Sequence, residues 1–345
     1  MKHAAMAKFM TVLMMILSAP PALAGGVTVK AVAELKVDDS GAPIGFPGGV
    51  AYAPDTGETY VLSASRGRVV VYDRNFFPRV SVGAGRGLDH VSGFALGPDG
   101  RLYVAQGPAG PGTPARIAVL DAAFFPVREI PLRDLPDAAS FLPEHLAVAR
   151  DGRLYVAGQN SVGVLVLSPE GRLLHRLTPR DTPPGSGERP VLVRDVAIDG
   201  ASRLYLLSEE TSKVYVYDAK EEFLFSFGQK GGSSGKMSRP RGLALDEARG
   251  RIYVVDYMRH TVLAYDLSGR YLFEFGGKGW GPGWFNFPTD VAVDDEGRVL
   301  VADLFNHRVQ VLEVHPPAEP AAGATSPAPK GAEEEKANFQ AVPSR

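Results

Sequence analysis

Apolar positions in this chain come in short runs separated by turns, with no long helical stripe beyond the N-terminus. A run such as Val291-Ala292-Val293 ends in a turn rich in Asp, Gly and Pro, of which Pro98-Asp99-Gly100 and Asp151-Gly152 are examples. Glycine there takes a positive φ without steric cost. A second run with period-two alternation follows, typified by Arg153-Leu154-Tyr155-Val156-Ala157, then a third, Val214-Tyr215-Val216-Tyr217, and a fourth, Leu224-Phe225-Ser226-Phe227. These are strand signals, so the folded part is predicted to be all-β.

The pattern of four recurs. Copies begin at Phe46, His90, Leu142, Leu192, Arg239 and Phe287, and aligning Ala51, Ala95, Ala147, Ala197, Ala244 and Ala292 gives intervals of 44, 52, 50, 47 and 48 residues. A period near 40–50 residues made only of strands predicts propeller blades, because one small sheet cannot bury both of its faces until neighbours stack on it. The sixth copy lacks a strand, ending at Val311-Leu312-Glu313-Val314. Residues 27–37 are expected to supply it, since Gly41-Ala42-Pro43-Ile44-Gly45-Phe46-Pro47 echoes Gly281-Pro282-Gly283-Trp284-Phe285-Asn286-Phe287-Pro288. The expectation is a six-bladed β-propeller of four-stranded antiparallel blades, its ring closed by an N-terminal strand that removes two open sheet edges.

The stretch Phe273-Glu274-Phe275-Gly276-Gly277-Lys278-Gly279, then Phe287-Pro288-Thr289-Asp290-Val291-Ala292-Val293-Asp294, then Val301-Ala302-Asp303-Leu304-Phe305-Asn306-His307-Arg308-Val309 resembles the NHL repeat. Copies five and six match best, and copies one to three keep mainly the strand pattern. The resemblance covers residues 27–314 and implies a six-bladed NHL propeller, here an exported, bacterial-type member. Such folds serve unrelated functions, so chemistry must be argued from residues.

Residues 1–24 carry Lys2 and Lys8, an apolar run from Phe9 to Leu17, and Ala22-Leu23-Ala24 before Gly25. This reads as a signal peptide with an A-x-A cleavage site, too short in its apolar core to span a membrane. The product is expected in the periplasm or secreted, as a monomer with no membrane span after cleavage. The chain has no cysteine, which excludes disulfides, thiolate chemistry and cysteine metal sites. Removing Lys2 and Lys8 from the 37 basic residues leaves 35 against 39 acidic ones, a net charge of −4 that argues against a nucleic-acid partner. Residues 315–345 turn to Pro, Ala, Gly and charge, which reads as a disordered tail.

The residues just before each inner strand should face one mouth of the central channel. One column reads Gly48, Ser92, Glu144, Arg194, Arg241, Thr289, and the next Gly49, Gly93, His145, Asp195, Gly242, Asp290. Where the copies depart from glycine they place a histidine and two aspartates, joined by Glu144, Arg194 and Arg241. Such a cluster can bind a ligand, act as general acid and base, or hold a divalent metal through His145, Asp195 and Asp290. The aspartates can equally cap a strand or pair with arginine. Asp303 with Asn306-His307-Arg308 is echoed by Asp256 with Arg259-His260, and a feature repeated around the ring is expected to hold blades together.

Trp280 and Trp284 occupy variable positions of a glycine-rich loop and are candidate ligand contacts. Residues 107–114 and 182–187 lengthen loops predicted on the same face. The leading expectation is a binding or scaffold module for a protein, peptide or polysaccharide, with no catalytic residue or cofactor assigned. The alternative is a metal-dependent lyase or hydrolase at the channel mouth. Peptidyl-hydroxyglycine amidating lyases resemble the chain in their repeats and hold a metal through several histidines, but only His145 stands at this mouth. The His, Glu or Asn sets of streptogramin lyases and lactonase propellers have no counterpart here.

Overall fold

In the computed structural model, which describes residues 26–110, 112–133, 141–182, 185 and 187–316, each copy is one four-stranded antiparallel sheet. Blades one to six start with inner strands Pro47–Ala53, Val91–Leu96, Leu142–Val148, Asp195–Ile198, Pro240–Asp246 and Pro288–Val293. Within blades one to five the four strands follow one another outward in chain order. The sixth sheet is built from Pro288–Val293, Val299–Asp303 and Arg308–His315, with Thr28–Leu35 as its outermost strand. Thr28 pairs with His315 and Leu35 with Val309, across a bulge between Ala31 and Ala33. The ring is therefore closed by the N-terminal strand. The expected leader and the residues from 317 on lie outside the described residues.

Six hydrophobic clusters sit between blades, one at each interface. Tyr253 and Val255 pack toward blade six, with Val291 and Val301, while Ile252 and Val254 of the same strand pack toward blade four, with Leu206's neighbours Tyr205 and Leu207. Leu154, Tyr155, Val156 and Ala157 are all buried for the same reason, alternate side chains entering opposite interfaces. The alternation expected for these second strands is thus a division between two apolar cores, where a half-exposed strand would place one set in water. Burying Leu-, Val- or Tyr-sized side chains in this way stabilises by roughly 1.5–3 kcal/mol each before the entropy of ordering is charged against it.

The polar features of the repeat fasten the turns. The Asp303 carboxylate accepts from Asn286 N at 2.6 Å, Asn306 Nδ2 at 2.7 Å and Arg308 Nε at 3.0 Å. Asp256 accepts from the backbone N–H groups of Ser238, Met258 and Arg259. In both blades a buried carboxylate ties the end of the second strand to the loop that enters the inner strand, as a repeated structural element should.

Candidate functional site

Because each inner strand begins at the same face, the two columns before those strands meet around one mouth, here called the upper face. Asp195 is buried there. Its Oδ1 accepts from the N–H of Val196 at 2.7 Å and from His145 Nδ1 at 3.0 Å, and its Oδ2 accepts from the N–H of Leu243 in the next blade at 2.8 Å. Asp290 repeats the geometry at the ring's closing interface, accepting from its own blade's Val291 N–H at 2.9 Å and from Val50 N–H in blade one at 2.8 Å. Each aspartate therefore clasps two inner strands. Ser92 and Thr289 do similar work from the first column, donating to the carbonyls of Pro143 at 2.6 Å and Pro47 at 3.0 Å.

At Gly93 and Gly242 of the second column the neighbour comes too close for a side chain. A Cβ on Gly93 would lie 1.6 Å from the carbonyl oxygen of Glu144, and one on Gly242 2.5 Å from Asp290 Oδ1. The Asp290 side chain thus lies between Gly242 and Gly49, in room that these two glycines leave.

Three titrating groups share this space. Burial opposes ionisation of Asp195, but protonated His145 and the two backbone N–H groups outweigh it and hold the carboxyl below its usual range. Burial likewise opposes the charge on His145, and the Asp195 carboxylate, assisted by Asp290, reverses that and raises it. Asp290 is pushed up to about 7 by burial and by the negative charge of Asp195, against the pull of His145 and its two N–H donors. The cluster can hold and exchange a proton near neutral pH. Among the described residues no group of three or more His, Cys, Asp or Glu side chains is arranged to hold a metal ion.

The remaining candidates stand further out on the same face. Glu144 is ion-paired with Arg194 and accepts from Gln159 Nε2 at 2.6 Å. Glu209 receives Arg239 at 2.7 Å and Arg241 at 3.5 Å. Beside them opens a cavity of about 590 Å³, lined by Gln159, Asn160, Leu192, Arg194, Glu209 and Arg239 among others. It lies between blades three, four and five rather than on the axis.

Trp280 and Trp284 do not join this group. Their loop lies at the rim, with Gly283 against Val29 of the outermost strand of blade six and the Trp284 carbonyl held by Arg308 and Gln310. Trp280 is 74% exposed, whereas Trp284 lies over Gly277 and Gly279.

Sequence reasoning missed an arc of aromatic rings on the upper face. The Arg241 guanidinium lies 3.7 Å over the Tyr257 ring. From Tyr257 the ring centroids step to Phe287 at 4.7 Å, Phe305 at 5.4 Å and Phe46 at 5.9 Å. Phe287 has φ +56, uncommon for a bulky residue, and its N–H donates to His260 Nδ1 at 2.9 Å. The signal was a third column, two residues before the first: Phe46, His90, Leu142, Leu192, Arg239, Phe287. Leu192 and Arg239 of that column line the cavity, and its two phenylalanines carry the arc.

The NHL repeat family matches residues 285–312, and a family described as 6-bladed beta-propeller matches residues 191–275. The chain is a six-bladed propeller that carries an NHL repeat. No curated protein sequence matches it. Among solved structures, the NHL propeller is similar to an auxiliary nutrient binding protein from Bacteroides ovatus, at 16% identity and TM-score 0.62, over 85% of this chain and 78% of that one. It is similar to virginiamycin B lyase from Staphylococcus aureus at 10% identity and TM-score 0.56, over 83% and 99%. It is also similar to a PQQ-bound aldose sugar dehydrogenase from Streptomyces coelicolor at 18% identity and TM-score 0.55, over 86% and 100%. At such identities the likeness of the NHL propeller to these proteins is one of fold.

Proposed function

We propose that this NHL propeller is an exported binding module that takes a protein, peptide or polysaccharide ligand on its upper face. The observation that carries the reading is the cavity of about 590 Å³ beside Arg194, which joins mixed charges to an exposed apolar side chain, Leu192, on a rigid ring. Concave sites with a few convergent polar groups are where ligands bind, and loops on a stiff scaffold carry such sites. The nutrient-binding description of one structural neighbour agrees with this reading. His145 and Asp195 support the mouth from beneath by fixing the strands that present Glu144, Arg194 and Arg241, while Asp290 fixes those of blades six and one.

The test is calorimetric titration of the mature protein with a panel of oligosaccharides and peptides. Leu192→Trp, at a site already 45% exposed, should obstruct the cavity without disturbing the core and abolish binding of any panel member that the unmodified protein takes up. Phe223→Ala on an outer strand should leave it unchanged. A bound panel member that ignores Leu192→Trp would place the site elsewhere.

A further inference from the structure

The upper face is a continuous track, charged at one end and aromatic at the other. It runs from the Glu144–Arg194 pair, across the cavity that Arg194 and Glu209 both line, to Arg239 and Arg241 and on through contacting rings to Tyr257, Phe287, Phe305 and Phe46. Arg241 is the junction, ion-paired at 3.5 Å with Glu209 of the charged half and stacked on the first ring of the aromatic half. Resting on the function proposed above, we infer that this track binds an acidic oligosaccharide, its carboxylates meeting Arg239 and Arg241 and its sugar rings lying along the aromatic arc.

Charge supports an anionic ligand. Glu209 serves two guanidiniums, and the nearer, Arg239, leaves Arg241 at 3.5 Å. Lys230, which also lines the cavity, donates to the backbone carbonyl of Glu210 at 3.1 Å and meets no carboxylate among the described residues. The Nε atoms of Arg194 and Arg241 are buried and make no hydrogen bond among the described residues, that of Arg241 standing 3.5 Å from Glu209 Oε2. Burial, and then the charge of Arg194, makes the protonated form of Arg241 harder to keep, so a further anion would relieve it. Guanidinium forks suit carboxylates in particular.

The backbone argues for a sugar rather than a peptide. Peptides laid across a protein surface are commonly gripped by main-chain hydrogen bonds. Along this track the N–H groups are already committed within the loops: Ala64 to Phe46 O, Tyr257 to Arg239 O, Phe305 to Asn286 O and Arg194 to Leu207 O, all between 2.7 and 3.1 Å. What remains available is ring surface and side-chain polar groups, including Phe46 at 39% and Phe305 at 44% exposure. Flat rings and forked donors fit pyranose faces, hydroxyls and uronate carboxylates.

The probe is an oligogalacturonate, titrated into the mature protein beside its fully methyl-esterified form and poly-glutamate of similar length. We expect the oligogalacturonate to bind, to weaken as salt rises, and to lose about tenfold or more in affinity in Arg239→Gln and in Arg241→Gln, the scale of a charge-assisted hydrogen bond. Phe305→Ala should weaken it as well. Arg239 is half exposed, so its variant tests the idea even if the half-buried Arg241 variant folds poorly. Equal binding of the esterified form would overturn the acidic class while leaving the upper-face site intact if Leu192→Trp still blocks it. Equal or tighter binding of poly-glutamate would replace the sugar with an acidic peptide. Oligogalacturonate binding that ignores both arginine variants, or no binding at all, overturns the inference.

Discussion

Asp290 is asked to do two things that conflict. As a carboxylate it accepts N–H donors from both sides of the closing interface, yet burial and Asp195 disfavour its charge and push it up to about 7. An acid whose folded value lies above its ordinary 3.8 binds its proton more tightly in the native state between those values. Stability drawn from this group is therefore present at low pH and lost as pH rises from about 4 to about 7. His145, raised by Asp195, acts in the same direction: its contribution is full below its ordinary 6.5 and lost as pH rises through its folded value. Asp195, lowered, contributes above 3.8 and loses that only in acid. Asp290→Asn imitates the protonated side chain, so its melting temperature relative to the parent should rise between pH 5 and pH 8, by an amount of at least about 1 kcal/mol in stability, since one pK unit corresponds to about 1.4 kcal/mol. A difference that stays flat over that range would remove Asp290 from this role. The positions of this cluster were legible in the sequence because they break a column of glycines. Their partners were not, since Val50 lies 240 residues from Asp290 and only ring closure brings it near. The aromatic arc went unread because Phe46 and Phe287 passed for the landmarks that open each copy.

At the scale of strands, the legible quantity was the period. Four strand signals per copy and a copy short by one were enough to give the blades and to assign Thr28–Leu35 to the last of them. The second strands were less legible: Leu154 to Ala157 alternate between two apolar interfaces, so a pattern that looks half-exposed belongs to a strand with no wet side. Deleting residues 27–37 should expose the edge of Arg308–His315, remove Val27, Val29 and Leu35 from two interblade cores, and lower the unfolding midpoint sharply or prevent folding. Ending the chain after residue 317 should leave the midpoint nearly unchanged, because each of the described sheets is complete by His315. Thermal unfolding followed by circular dichroism checks both. Equal tolerance of the two truncations would mean that the outer strand contributes little to closure.

For the molecule as a whole, the proposal of export makes a sharp demand on where the leader is cut. Val27 is already buried between blades five and six, so cleavage after Ala24 would spare every described buried residue by a narrow margin. Intact-mass measurement of the protein from separated cell fractions should find a chain starting at Gly25 outside the cytoplasm, and a cytoplasmic product still bearing Met1 would sink the proposal. Among the described residues no helix is long and apolar enough to cross a membrane. The pairing of Thr28–Leu35 with Arg308–His315 also sets an order of events. Of the described strands, the one that seals the ring is synthesised first and its partner last, with Lys30 meeting Glu313 from 283 positions away. Contacts so distant form late, because the intervening chain must be gathered before they offset its entropy. No nascent fragment that lacks Arg308–His315 can shut the circle in this way. A polypeptide built in this order stays threadable until its end has been delivered, and the seal closes on whichever side of a membrane the last blade arrives.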